Sequence, residues 1–178
     1  MPDDVTLIWC DDNYGYIRHF PTAEERARKG GNGIYYHVSY WGRPHDYLWL
    51  GTFSPYLLHQ QMKLAYDRGI QKMWVFNVGD IKPAEYQIEL FLDMAWNIDE
   101  VNEIGVTAHL KSWLGREFGS NCAEELLPAM EAHYQLSYIR KPEFMGNTRE
   151  EERDPKYKVI KDLPWSEQTI SERLRSYT

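Results

Sequence analysis

Two cysteines in 178 residues, Cys10 and Cys122, are too few and too far apart for a disulfide framework or a cysteine-based zinc site. Both are expected to be small buried hydrophobes, Cys10 in a strand and Cys122 at a helix start. No apolar run approaches the roughly 20 residues that cross a bilayer, and no basic segment followed by an apolar one opens the chain. A membrane partner is therefore not expected. Positive charge is also scarce, since 20 Lys and Arg against 27 Asp and Glu leave a formal charge of -7. Without a dense basic face there is nothing to neutralise phosphates, which argues against nucleic acid as a partner. Internal repeats are absent, as is any clustered Cys/His set, so neither a metal nor another cofactor is expected.

Aromatic side chains are plentiful. They make up 15% of the chain, with 7 Trp and 13 Tyr, within a hydrophobic content of 43%. That is enough for a core in one ordinary domain or two small ones. Most of these rings should fill the core; the remainder suit the stacking of flat ligands such as sugars.

Three apolar runs predict strands over residues 5–10, 33–40 and 73–78. Each is followed by a helix signal. Thr22-Ala23-Glu24-Glu25 has capping-box form and predicts a helix towards Gly30. Ser54-Pro55 supplies an N-cap and first-turn proline for a helix to Arg68, stopped by Gly69. Pro83 opens a third helix, and Trp41 to Gly51 reads as a long loop. Strand and helix alternate three times, which predicts an α/β fold of parallel βα units whose strands are apolar because both faces are covered. Beyond residue 107 the pattern is helical only. Helices are expected over 108–118 and 122–139, capped by Ser120 or Asn121, then a charged connection at 149–154 and a final helix over 165–177.

Polar residues stand just past each apolar run: Asp11, Asp12 and Asn13; Tyr36 and His37; Asn77 and Asp80. Taken singly, each has an ordinary explanation. Asp and Asn favour turns, His37 suits a structural role, and Asn77-Val78-Gly79-Asp80 suits a β-turn. On a shared carboxyl edge of a parallel sheet they would converge on one ligand. Carboxylates, carboxamides, an imidazole and many aromatic rings suit a polyhydroxylated ligand. Asp11 and Asp12 cannot be the two opposed carboxyl groups of a glycosidase, because adjacent strand residues point to opposite faces.

Four segments together resemble glycoside hydrolase family 115, the xylan α-1,2-glucuronidases. They are Asp11-Asp12-Asn13-Tyr14-Gly15-Tyr16-Ile17-Arg18, Gly30-Gly31-Asn32-Gly33-Ile34-Tyr35-Tyr36-His37, Gln61-Met62 with Ala65-Tyr66, and Asn77-Val78-Gly79-Asp80-Ile81-Lys82-Pro83. The match is specific from Trp9 to about Trp96 and weaker through the helical remainder. The resemblance implies a piece of a longer chain, with residues 1–98 forming the C-terminal part of a (β/α)8 barrel and residues 99–178 a segment of an α-helical bundle. It implies an inverting enzyme that removes α-1,2-linked glucuronic acid, with or without 4-O-methylation, from glucuronoxylan or xylo-oligosaccharides. The general acid, a glutamate, would lie upstream of this chain, which alone would be inactive. By the same resemblance Asp11 and Asn13 are the catalytic candidates, Asp11 orienting or activating the attacking water. Asp12, Tyr14, Tyr35, Tyr36, His37, Asn77 and Asp80 are the substrate-binding candidates, and Arg18 and Arg43 are weak substitutes for a uronate anchor. Location outside the cytoplasm follows by analogy, and an open sheet edge allows a homodimer. A carbohydrate-binding module without catalysis and a helical interaction domain are the competing readings.

Overall fold

A computed structural model describes residues 1–42, 46–48 and 50–145. The expected helix over 165–177, the charge run at 149–154 and the loop residues Arg43, His45 and Trp49 lie outside the described residues. Strands β1 (Leu7–Cys10), β2 (Asn32–His37) and β3 (Ile70–Asn77) form one sheet in the order β1-β2-β3, parallel throughout. The register sets Cys10 beside Tyr35 and His37 beside Asn77, so all three strands end on one edge.

Helix α1 (Ala23–Arg26) joins β1 to β2 and has the predicted reciprocal cap between Thr22 and Glu25. It stops well short of Gly30, because the backbone that follows is used elsewhere. The Gly30 amide donates to Asp3 O and the Leu7 amide to Gly31 O, which fastens the segment to the start of β1. Helix α2 (Pro55–Asp67) begins at the expected Ser54 cap and ends before Gly69, whose φ of +86° favours glycine. Strand β3 starts three residues earlier than its apolar pattern suggested, directly after that turn.

Side chains alternate across the sheet. Ile34, Tyr36, Trp74 and Phe76 face the helices and join a core with Leu58 and Met62 of α2 and Leu90, Phe91 and Met94 of α3 (Glu85–Trp96). Phe76 stacks on Phe91 with ring centroids 4.0 Å apart. Among the described residues the other face is open: Ile8 is 48% and Met73 52% exposed, and Cys10 is exposed as well. Coverage of both faces and burial of Cys10 were expected, and neither holds. Cys122, in the first turn of α6, is also exposed, because its helical position faces away from the core.

The helical region contains one element the sequence pattern did not announce. Helix α4 (Ile98–Ile104) starts at Asn97, whose Oδ1 accepts from the Glu100 amide at 3.3 Å. Gly105, with φ +77°, turns the chain into α5 (Val106–Phe118), and Gly119, with φ +91°, turns it into α6 (Ser120–Ile139). The caps expected from Ser120 or Asn121 are replaced by this glycine, since both residues are already helical. The predicted hairpin of α5 on α6 is present and carries the Lys111–Glu124 ion pair at 2.6 Å.

Candidate functional site

The carboxyl edge of the sheet gathers Asp11, His37 and Asn77 from three neighbouring strand ends. Asp11 follows the last residue of β1, and its carboxylate has no exposed surface. Oδ1 lies 2.6 Å from His37 Nδ1, and Oδ2 accepts from the Gly15 amide at 2.9 Å. With a carboxylate against Nδ1, the imidazole carries its proton there and turns Nε2 away from Asp11. Tyr35 stands edge-on to His37 at 5.0 Å between ring centroids, and its hydroxyl is hydrogen-bonded to Asn77 Nδ2. Alternation along β2 puts Tyr35 and His37 on the open face, as it does Asn77 on β3.

Asp12 behaves differently from Asp11. Its Oδ1 accepts from the amides of Tyr14 and Tyr16, both at 3.1 Å, and its Oδ2 meets Arg18, with Nη2 at 2.7 Å. Asp12 thus folds the loop, and the Arg18 guanidinium is taken up by it. Asn13 adopts φ +68°, the left-handed conformation that Asn tolerates better than most residues, and its carbonyl accepts from the Tyr47 hydroxyl at 2.7 Å. The Tyr14 ring leans on Tyr40 and Tyr47, each at 5.9 Å. Asp80 is exposed in the turn beyond β3, where Gly79 packs against Ser39 and Leu48.

Tyr36 is not brought to the open face. Odd and even residues of β2 point opposite ways, so its ring lies wholly buried among Phe53 and Phe76 on the helix side. Its hydroxyl donates to Gly15 O at 2.7 Å, which fixes the loop whose amide holds Asp11. Burial first, and the Asp11 charge second, push the Tyr36 hydroxyl well above the ordinary tyrosine range.

Tyr40, Tyr47 and Lys141 escaped the sequence reading. Tyr40 stands edge-on to His37 at 5.7 Å, past the end of β2, where it pairs with Tyr47 in an isolated antiparallel bridge. The aromatic density of 35–40 gave no cue for separating it from its neighbours. Lys141, just after α6, reaches back to donate to Thr52 O at 3.0 Å and sits over the Tyr47 ring, 4.8 Å from its centroid. Burial pushes its amine down to about 8, with Glu143 opposing the shift. The site thus rests on strand ends buttressed by the helical region: Lys141 on Tyr47, Tyr47 on Asn13.

The chemistry offered by this edge is a carboxylate locked to an imidazole, with a phenol and a carboxamide alongside, at the mouth of an open sheet face. Comparison with known proteins bears on the same residues. The sequence profile of glycosyl hydrolase family 115 matches residues 1–144, a span that includes every residue of this edge. No curated protein matches. Among solved structures, a family GH115 4-O-methyl-α-glucuronidase, BtGH115A, with specificity for decorated arabinogalactans, is similar at 74% identity and a TM-score of 0.89. The match covers 99% of this chain and 23% of that one, so the chain spans about a quarter of that enzyme's length. The strand-end motifs, the parallel sheet that aligns them and these two matches agree: the chain belongs to glycosyl hydrolase family 115.

Proposed function

We propose that this chain is the part of an α-glucuronidase that supplies the water-activating side of the active site. The observation that carries this reading is the buried Asp11–His37 pair on the common strand edge, at 2.6 Å, in a chain 74% identical to a 4-O-methyl-α-glucuronidase. In the reaction, a glucuronic acid joined by an α-linkage to a polysaccharide leaves by attack of water at its anomeric carbon. Inverting hydrolysis needs an acid on the leaving oxygen and a base on the water, on opposite sides of the sugar. Asp11 holds His37 by Nδ1, so that Nε2 presents its lone pair towards the open face and takes the water proton. Asp11 acts through His37, and its negative charge stabilises the imidazolium that forms. Asn77, Tyr35 and Tyr40 contact the sugar hydroxyls or the water, and Asn13 is presented beside them by its left-handed backbone. The acid comes from a part of the enzyme outside this chain.

The fold reading that accompanies this is a partial (β/α)8 barrel. The parallel order β1-β2-β3 and the exposure of Ile8, Tyr35 and Met73 on one face support it, because in a closed barrel that face points inward. The helices from α4 onward would then form a bundle segment against the barrel.

For the polysaccharide, decorated arabinogalactan is the first substrate to try, because the similar enzyme has that specificity. Glucuronoxylan, implied by the family resemblance, is the second. The test is release of 4-O-methylglucuronic acid by the complete enzyme from each polymer, followed by chromatography of the freed acid. Release from either supports the glucuronidase reading, and the ratio of the two rates assigns the polymer. Failure to release the acid from both, alongside turnover of another glycoside, would sink it.

A further inference from the structure

We propose that Glu89 and Asp93 of α3 and His109 of α5 form a binding site for a first-row divalent transition-metal ion, away from the strand edge. Glu89 and Asp93 are four residues apart and share one face of α3. His109 reaches the same place from α5, its side chain only 8% exposed and its Nε2 3.0 Å from Asp93 Oδ2. One ligand atom from each of the three lies within 4.8 Å of the others.

Zinc-type ions bind imidazole nitrogen and carboxylate oxygen at about 2.0–2.2 Å in a tetrahedral shell, so two ligands of one ion stand roughly 3.4 Å apart. Both carboxylates are partly exposed, which leaves them room to turn towards that spacing. A second observation concerns His109 itself. The ring is buried in the α3–α5 seam beside Tyr86, at 5.8 Å, and among the described residues its Nδ1 has no hydrogen-bond partner. Among the described residues its hydrogen-bond partner is Asp93, in the cluster, so the Nε2 edge of the ring is aimed into it. A pocket of about 250 Å³ at this place has room for the waters that would complete the coordination. One nitrogen with two carboxylates suits zinc or cobalt; magnesium and calcium prefer all-oxygen shells.

Arg116 gives the proposal a second handle. Its Nη2 lies 2.6 Å from Glu89 Oε2, where it supplies positive charge to the same carboxylate. A metal ion must compete with that guanidinium, so its removal should strengthen binding while loss of any ligand weakens it. A plain ion pair between α3 and α5 would respond to neither change in this way.

The experiment is calorimetric titration of the purified chain with zinc chloride and, separately, cobalt chloride, with magnesium chloride as the oxygen-preferring control. It is done in a Cys10→Ser, Cys122→Ser background, because both thiols are exposed. Expected are one ion per chain for zinc and cobalt, none for magnesium, and cobalt absorption bands of a nitrogen and oxygen site. Glu89→Gln and His109→Gln should each weaken binding by about tenfold or more, and Arg116→Gln should tighten it. Glu89 is surface-placed, so its variant stays informative if the buried His109 variant fails to fold. Absence of saturable one-to-one binding, or binding that ignores Glu89→Gln and Arg116→Gln, would overturn the proposal.

Discussion

Asp11 and Asp12 are adjacent and chemically identical, yet their surroundings divide the labour between them. Asp11 is closed off from solvent and committed to His37 and the Gly15 amide, whereas Asp12 spends its oxygens on two loop amides and Arg18. Asp12→Asn retains an Oδ1 acceptor and loses a partly exposed ion pair, which is worth at most about 1 kcal/mol. Its thermal midpoint should hardly move; Asp12→Ala, which strips both loop amides of their acceptor, should cost about 1–3 kcal/mol in urea unfolding. Gly15→Ala should be worse than either. The residue has φ +92°, and an added Cβ would lie 2.3 Å from Phe53 Cζ, so the loop must shift and carry the Asp11 hydrogen bond with it. A loss of more than about 2 kcal/mol is expected. Alternation along a strand already separated the two carboxylates in the sequence. The same rule, applied to Tyr36, would have assigned it to the helix face, but with rings at 35, 36 and 40 the pattern alone did not say which face was the core.

At the level of elements, the three strands, the three βα units and the hairpin of α5 on α6 were all legible, because apolar runs, proline and serine starts and glycine stops coincide. Helix α4 was not. It spans seven residues with few apolar positions, and its start depends on an Asn97 cap that reads equally well as a turn. The contact from Lys141 to Thr52 and Tyr47 could not be read either, since it joins positions 89 and more residues apart. That contact has a measurable consequence. The unfolded chain keeps the Lys141 proton up to its ordinary 10.5, while the folded chain keeps it only up to about 8. Between those values the unfolded state holds more protons, so stability rises with pH, by at most about 3 kcal/mol. Above about pH 10 the buried Tyr36, Tyr47, Tyr86 and Tyr134, all shifted upward by desolvation, act in the opposite sense, because only the unfolded chain can release their protons. Urea midpoints across this range should climb from about pH 8, peak near 10 and then fall. Lys141→Met should abolish the climb and leave the fall; a climb that persists in this variant would disprove the assignment to Lys141.

For the whole molecule, the open sheet face is the dominant physical fact. Ile8, Tyr35 and Met73 are exposed on it, and among the described residues β1 and β3 each have an unpaired side, a combination that favours association. Sedimentation of the isolated chain should therefore show self-association that weakens when Met73 is changed to Lys, and a strictly monomeric chain would count against the partial-barrel reading. The isolated chain should also release no glucuronic acid, since loss of one member of a catalytic pair costs several powers of ten in rate. Family membership was legible from four spaced motifs; the pairing of Asp11 with His37 needed the register of two strands, which no local pattern contains. The account stands or falls on that pair. The most direct test is the turnover number of the complete enzyme carrying Asp11→Asn, measured as release of 4-O-methylglucuronic acid at saturating substrate. The expected result is a loss of about 10²–10⁴ in kcat with KM little changed, as for removal of general-base assistance. A folded Asp11→Asn enzyme that turns over at nearly the full rate would contradict it.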